Sequence, residues 1–119
     1  MSTKTTVENY YSGIAKKDGW QLLISNDIAF VGPGSNTRGK DAYVEATSRF
    51  LRVVSGCSVK ELVIERDKAF AIVRYDLLSP KGNTARSEVA ELLTIADDKI
   101  TSSTIFFDTA AFRDFMAKG

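Results

Sequence analysis

Between Cys57 and Phe107 the apolar residues recur at every second position, and only three polar breaks interrupt them. A period of two is the spacing of strands with one buried face. The breaks read "RDK", "SPKGN" and "ADD", short segments rich in turn-forming residues. Strands are therefore expected near 57–66, 68–78, 84–96 and 99–107. Connections this short join neighbouring strands antiparallel, as a meander. Such a sheet has one apolar face to hide, and the rest of the chain must cover it.

Charge fixes which face that is. If Leu78 pairs with Thr84 across "SPKGN", Arg74 stands opposite Glu88 and Asp76 opposite Arg86. The other face then collects Ala71, Val73, Tyr75 and Leu77 against Ala85, Ser87, Val89 and Glu91. A slip of one residue sets Arg74 against Val89 and loses both charge matches. The matched register turns the ions outward and sends Glu91 inward, into a row with Val89, Leu93 and Ile95. A carboxylate there is costly unless it is paired, protonated or used. The outward row of Leu92, Ile100 and Phe106 predicts a homodimer through the sheet.

The first half of the chain carries helical spacing. Thr5 and Glu8 in "TTVE" have the separation of a capping box, and Val7, Tyr10, Tyr11 and Ile14 follow as one stripe. Asp18-Gly19 breaks that helix, with Asp18 placed to cap a short second one carrying Trp20, Leu23 and Ile24. "DIAFV" reads as a brief strand ended by the turn-rich "GPGSN". In "GKDAYVEATSRFLRVVSG" the residues Tyr43, Ala46, Thr47, Phe50, Leu51 and Val54 share a helix face, with Gly56 at the expected C′ position. "DTAAFRDFM" closes the chain as a helix capped by Asp108 or Thr109. Helices first and strands afterwards define an α+β fold, a single domain over residues 1–119 with the helices on one face of the sheet.

Composition then narrows the chemistry. The chain has no histidine, which removes Ser-His and Cys-His nucleophiles, imidazole acid–base work and His-containing metal sites. No calcium-loop spacing of acidic residues occurs, so neither metal nor cofactor is expected. A net charge of +1 gives no electrostatic reason to expect nucleic acid or a membrane surface. The single cysteine, no signal-peptide pattern and no membrane-spanning apolar run make the cytoplasm the expected location.

Three segments carry a family likeness: "NYYSGIAKKDGW", "SNDIAFVGPGSNTRGKDA" and "DDKITSSTIFFD". With this order of elements, the chain resembles the SnoaL-like and ketosteroid-isomerase-like branch of the nuclear transport factor 2-like superfamily. The resemblance implies a cystatin-like cone, a curved and mainly antiparallel sheet wrapped around helices and an apolar pocket, commonly in a dimer. It implies that Tyr10 matches the isomerases' oxyanion-hole tyrosine and that Glu91 matches the neutral acid beside it. The isomerases' catalytic base matches Gly32, which has no side chain to move a proton. Scytalone-dehydratase-like chemistry would need histidines. The resemblance further implies a pocket lined by Val73, Tyr75 and Val89, by Ser103, Ile105 and Phe107, and by Trp20, Phe30, Tyr43 and Phe50.

The leading expectation is a protein that binds a small apolar or amphipathic ligand, with Glu91 and Tyr10 at the polar end. The alternatives are a SnoaL-like isomerase, cyclase or hydratase using Glu91 as acid or base, and a non-catalytic assembly module. For Glu91 itself, three roles stay open: a buried acid satisfied by a tyrosine, serine or water, a ligand contact, or a catalytic group. Tyr75 is a candidate hydrogen-bond partner for it.

Overall fold

The period-two half of the chain forms the expected meander in a computed structural model that describes residues 2–119. In chain order the elements are helix α1 (Thr3–Lys16), a 3-10 turn (Trp20–Leu23), strands β1 (Ile24–Gly32) and β2 (Ser35–Arg38), and helix α2 (Lys40–Leu51). Strands β3 (Val54–Glu65), β4 (Lys68–Leu78), β5 (Thr84–Ala96) and β6 (Lys99–Phe106) follow, and helix α3 (Thr109–Ala117) ends the chain. The strands form one curved sheet in the order β2-β1-β6-β5-β4-β3. Every pairing is antiparallel except β1 with β6. The fold is α+β, with the helices packed on the inner face of the sheet.

The β4–β5 register is the one that charge matching selects: Leu78 pairs with Thr84, Arg74 with Glu88 and Asp76 with Arg86. The Arg86 Nε donates to Asp76 Oδ1 at 3.1 Å. On the inner face Val7, Tyr10, Tyr11 and Ile14 of α1 join Ala69, Ala71, Val73, Leu77, Leu93 and Ile95 in a continuous core. No helix among the described residues is long and apolar enough to cross a membrane.

Local expectations are corrected at five places. The α1 cap is Ser2, whose hydroxyl accepts from the Thr5 amide, so the helix starts before the Thr5–Glu8 box. The 3-10 turn is entered through Gly19 without a side-chain cap, and Ile24 already belongs to β1. "GPGSN" is more than a turn: Pro33 and Gly34 (φ +70°) reverse the chain so that Gly32 pairs with Ser35 and β2 begins. Gly56 does not end α2, which stops at Leu51; it lies in β3 opposite Asp76. There a Cβ would meet the Asp76 Oδ2 at 3.0 Å, the end of a side chain that can give way.

Ile100 is the fifth. It is fully buried, while Leu92 and Phe106 are exposed. The β5–β6 register shifts between Thr94 and Ile95, where Thr94 pairs with Ser102 and Ile95 with Ile100. That bulge absorbs Thr101, so Ile100 and Ser103 share the inner face despite their odd spacing.

Candidate active or binding site

Glu91 sits midway along β5 between the inward Val89 and Leu93, and is 5% exposed. Both carboxyl oxygens are occupied by protein hydroxyls. Tyr11 of α1 donates to Oε1 at 2.6 Å, and Ser103 of β6 donates to Oε2 at 2.5 Å. Ser103 is Glu91's diagonal neighbour, since Glu91 pairs with Ile105 and Leu93 with Ser103.

Tyr10 takes a different path. One step along a helix rotates a side chain by about 100°, so the hydroxyls of adjacent tyrosines take different partners here. The Tyr10 hydroxyl bonds that of Tyr43 from α2 at 2.6 Å. Tyr43 also has the hydroxyls of Thr47 and Ser103 as hydrogen-bonding neighbours. The tyrosine bonded to the acid is Tyr11, which lies on the same helix stripe and was not singled out from the sequence. Tyr75 is not the acid's partner; that ring stands edge-on to Phe50 at 5.0 Å. All four tyrosines of the chain are nonetheless buried around this one acid.

A cavity of about 340 Å³ opens beside the cluster. Its polar lining residues are Glu91, Tyr10, Tyr43, Tyr75, Thr47, Ser87 and Arg49. Phe30, Phe50, Val89, Ile105 and Phe107, all singled out from the sequence, line it too. Trp20, Val73 and Ser103 do not reach it, because they are fully buried behind the lining layer. Trp20 instead packs edge-on against Tyr43, with ring centres 6.4 Å apart. Ile14, Leu51, Val53, Phe112 and Met116 line the cavity without having been singled out. Phe112 and Met116 share one face of α3, an i, i+4 pair whose spacing was the available signal. The exposed lining residues Ala46, Arg49 and Met116 put the mouth between α2 and α3.

Gly32 lies at the end of β1, and a Cβ there would meet Phe30 and Ile105, each at 3.2 Å. Those residues line the cavity, and Gly32 itself adds no functional group beside them.

Burial raises the Glu91 pKa above the usual carboxylate value, against the opposing pull of the Ser103 and Tyr11 hydrogen bonds. Burial first, and then the nearby acid or tyrosine, raises Tyr10, Tyr11, Tyr43 and Tyr75 as well. The phenols therefore stay protonated. Burial and Glu91 push the Cys57 thiol up to about 11, so it is not an activated nucleophile. Arg49 is paired with Glu45 at 3.0 Å at the mouth. Among the described residues no group of His, Cys, Asp and Glu could hold a metal ion.

This is a curved-sheet fold with a buried acid at the head of an apolar cavity, and comparison with known proteins gives it a family. Residues 7–103 match the SnoaL-like domain model, and the chain belongs to that family. The structure is similar to that of a protein from Kribbella flavida DSM 17836, with TM-score 0.84 and 22% identity, covering 96% of this chain and 93% of that one. It is similar to TerC co-crystallised with polyporic acid, with TM-score 0.83, 21% identity, and 97% and 98% of the two chains covered. A third match is described as a SnoaL-like polyketide cyclase from Jannaschia sp. CCS1, with TM-score 0.83, 14% identity, and 98% and 92% covered. No curated protein matches the chain.

Proposed function

We propose that the cavity binds a small, largely apolar molecule with one polar end, held against Tyr10, Tyr43 and Glu91. The observation that carries this reading is the position of the acid. Glu91 is a buried carboxyl among the lining residues of a cavity whose wall is mostly aromatic and aliphatic. A site of that kind gains affinity from burial and orientation from a few fixed polar groups. The co-crystallisation of TerC with polyporic acid supports it by analogy of fold.

The second reading is an isomerase or cyclase in which Glu91 moves a proton, favoured by its raised pKa and by the described activity of the Jannaschia protein. Against it stand the missing side chain at Gly32 and the engagement of both Glu91 oxygens by protein donors. A base must reach the proton it takes. On this ground the protein should not shift a ketosteroid double bond; measurable turnover would favour the enzyme.

Binding is tested with Prodan, a fluorescent naphthyl ketone. The expected result is saturable binding with blue-shifted emission, abolished by Ala46→Trp, which blocks the mouth without disturbing a buried position. Binding unchanged in that variant would place the dye elsewhere and defeat the reading.

The assembly proposal is a homodimer through the outer face of the sheet, and the proposed location is the cytoplasm. Val63, Phe70 and Leu92 stand side by side across β3, β4 and β5, all exposed, and the row continues through Thr104 to exposed Val31. Phe106, 63% exposed, flanks them. A contiguous apolar row of this kind is a common mark of an interface.

A further inference from the structure

Glu91 is a buried acid without a counter-charge. Among the described residues it is the one buried carboxyl, and no Lys or Arg is buried. The groups that hold it, Tyr11 and Ser103, are neutral hydroxyls, at 2.6 and 2.5 Å. Each donates to a different oxygen, an arrangement that favours the ionised carboxyl. A carboxylate has about four acceptor positions, so two hydroxyls leave it unsaturated. The two bonds blunt Glu91 as a base and leave its negative charge in place.

The cavity wall suits the missing positive charge. Glu91 is the only acid among the lining residues, and seven of the others are aromatic, Tyr10, Tyr43 and Tyr75 among them. Aromatic rings carry partial negative charge on their faces, so a wall of rings accepts a cation that an aliphatic wall would exclude. The lining supplies one cation, Arg49, which is exposed at the mouth and bonded to Glu45 at 3.0 Å. Its charge is met there by Glu45 and not by Glu91. The other titratable groups around the acid are the phenols of Tyr10 and Tyr11 in α1, Tyr43 in α2 and Tyr75 in β4, and the Cys57 thiol in β3. Burial keeps all five protonated and neutral, so none of them balances or competes with the acid's charge.

We propose that the cavity takes an amphipathic amine, an apolar body carrying a protonated nitrogen that pairs with Glu91. The inference rests on the binding function proposed above and adds the ligand's chemical class. The nitrogen brings both the opposite charge and N–H donors for acceptor positions that the protein leaves open. A neutral ligand of the same shape offers a hydrogen bond without the charge, and so leaves the cost of burying the carboxylate in place. An ammonium beside the acid favours its ionised form, and by linkage the bound amine must lower the Glu91 midpoint.

The test compares two probes of one shape, 2-(2-naphthyl)ethylamine and 2-(2-naphthyl)ethanol, by calorimetry at about pH 8, where a primary amine is protonated. The wild-type protein should bind the amine about tenfold more tightly than the alcohol, or better. Glu91→Gln keeps the side chain's shape and an acceptor for Tyr11, and there the amine should lose its advantage while the alcohol binds as before. A carboxyl-carbon titration of the wild type needs no variant: the Glu91 midpoint should fall further in saturating amine than in saturating alcohol. An alcohol that binds as tightly as the amine overturns the proposal. So does an amine preference that survives Glu91→Gln, or a Glu91 midpoint that the amine leaves unmoved. If Prodan binds in the cavity and the amine does not, the binding function stands and the amine assignment falls. If none of the three compounds binds, the binding function itself fails and takes the assignment with it.

Discussion

The two faces of the same sheet treat their acids in opposite ways. On the outer face Asp76 meets the Arg86 guanidinium, with the two side chains 48% and 65% exposed. On the inner face, three residues beyond Glu88, Glu91 meets no cation among the described residues and is held by two hydroxyls. Water screens the outer pair, which limits what it contributes. Burial around Glu91 penalises its charge, and neutral donors offset only part of that penalty. The alternation of strand side chains thus yields a screened surface pair and a displaced acid from one stretch of β5. Opposite charge marks the face that need not be special, and its absence marks the one that is.

Removing the inner acid should have the largest effect. Glu91→Leu leaves the buried Tyr11 and Ser103 hydroxyls against hydrocarbon and should destabilise by about 2–4 kcal/mol in urea unfolding at pH 5. A loss near zero would mean that those hydrogen bonds contribute little.

On the outer face the effect should appear in assembly. Leu92→Lys with Phe106→Lys should leave protomer unfolding within about 1 kcal/mol of wild type, while sedimentation velocity changes from dimer to monomer. A wild-type monomer at tens of micromolar would refute the interface. The smallest change is expected from Arg86→Ala, at most about 1 kcal/mol and further reduced by salt. A larger loss there would erase the contrast between the faces.

The parts of this molecule legible in the sequence are those where local pattern and long-range pairing agree. The Arg74–Glu88 and Asp76–Arg86 matches reach across a hairpin, and their charges alone are enough to orient Glu91 inward. Ile100 defeats the same reasoning because the bulge at Thr101 changes the face without a glycine or proline to announce it. The strand β2 was hidden because four polar residues, Ser35–Arg38, carry no apolar alternation on the sheet edge. Tyr10 and Tyr11 share one stripe, and the choice between them rests on a helix rotation that tertiary packing sets. Gly56 has the spacing of a helix stop, yet it lies inside β3 opposite Asp76. For the site, inward strand spacing and aromatic residues pointed to Phe30, Tyr43, Phe50, Tyr75, Val89, Ile105 and Phe107 of the cavity wall. Trp20, Val73 and Ser103 face inward as well, but inward spacing cannot separate the lining of a cavity from the layer behind it.

The protonation of Glu91 decides the chemistry of the cavity, and a carbon-detected NMR titration of its carboxyl measures that directly. Burial is expected to place its midpoint above the ordinary glutamate value of about 4.3. Because the folded pKa is raised, the neutral acid's contribution to stability is fully present below the unfolded pKa. It is lost as pH rises through the folded pKa. Urea midpoints should accordingly fall across that window in the wild type and stay flat in Glu91→Gln. A Glu91 midpoint at or below the ordinary value would contradict the account, because the hydroxyl donors would then outweigh burial and leave an ionised carboxylate at the head of the cavity.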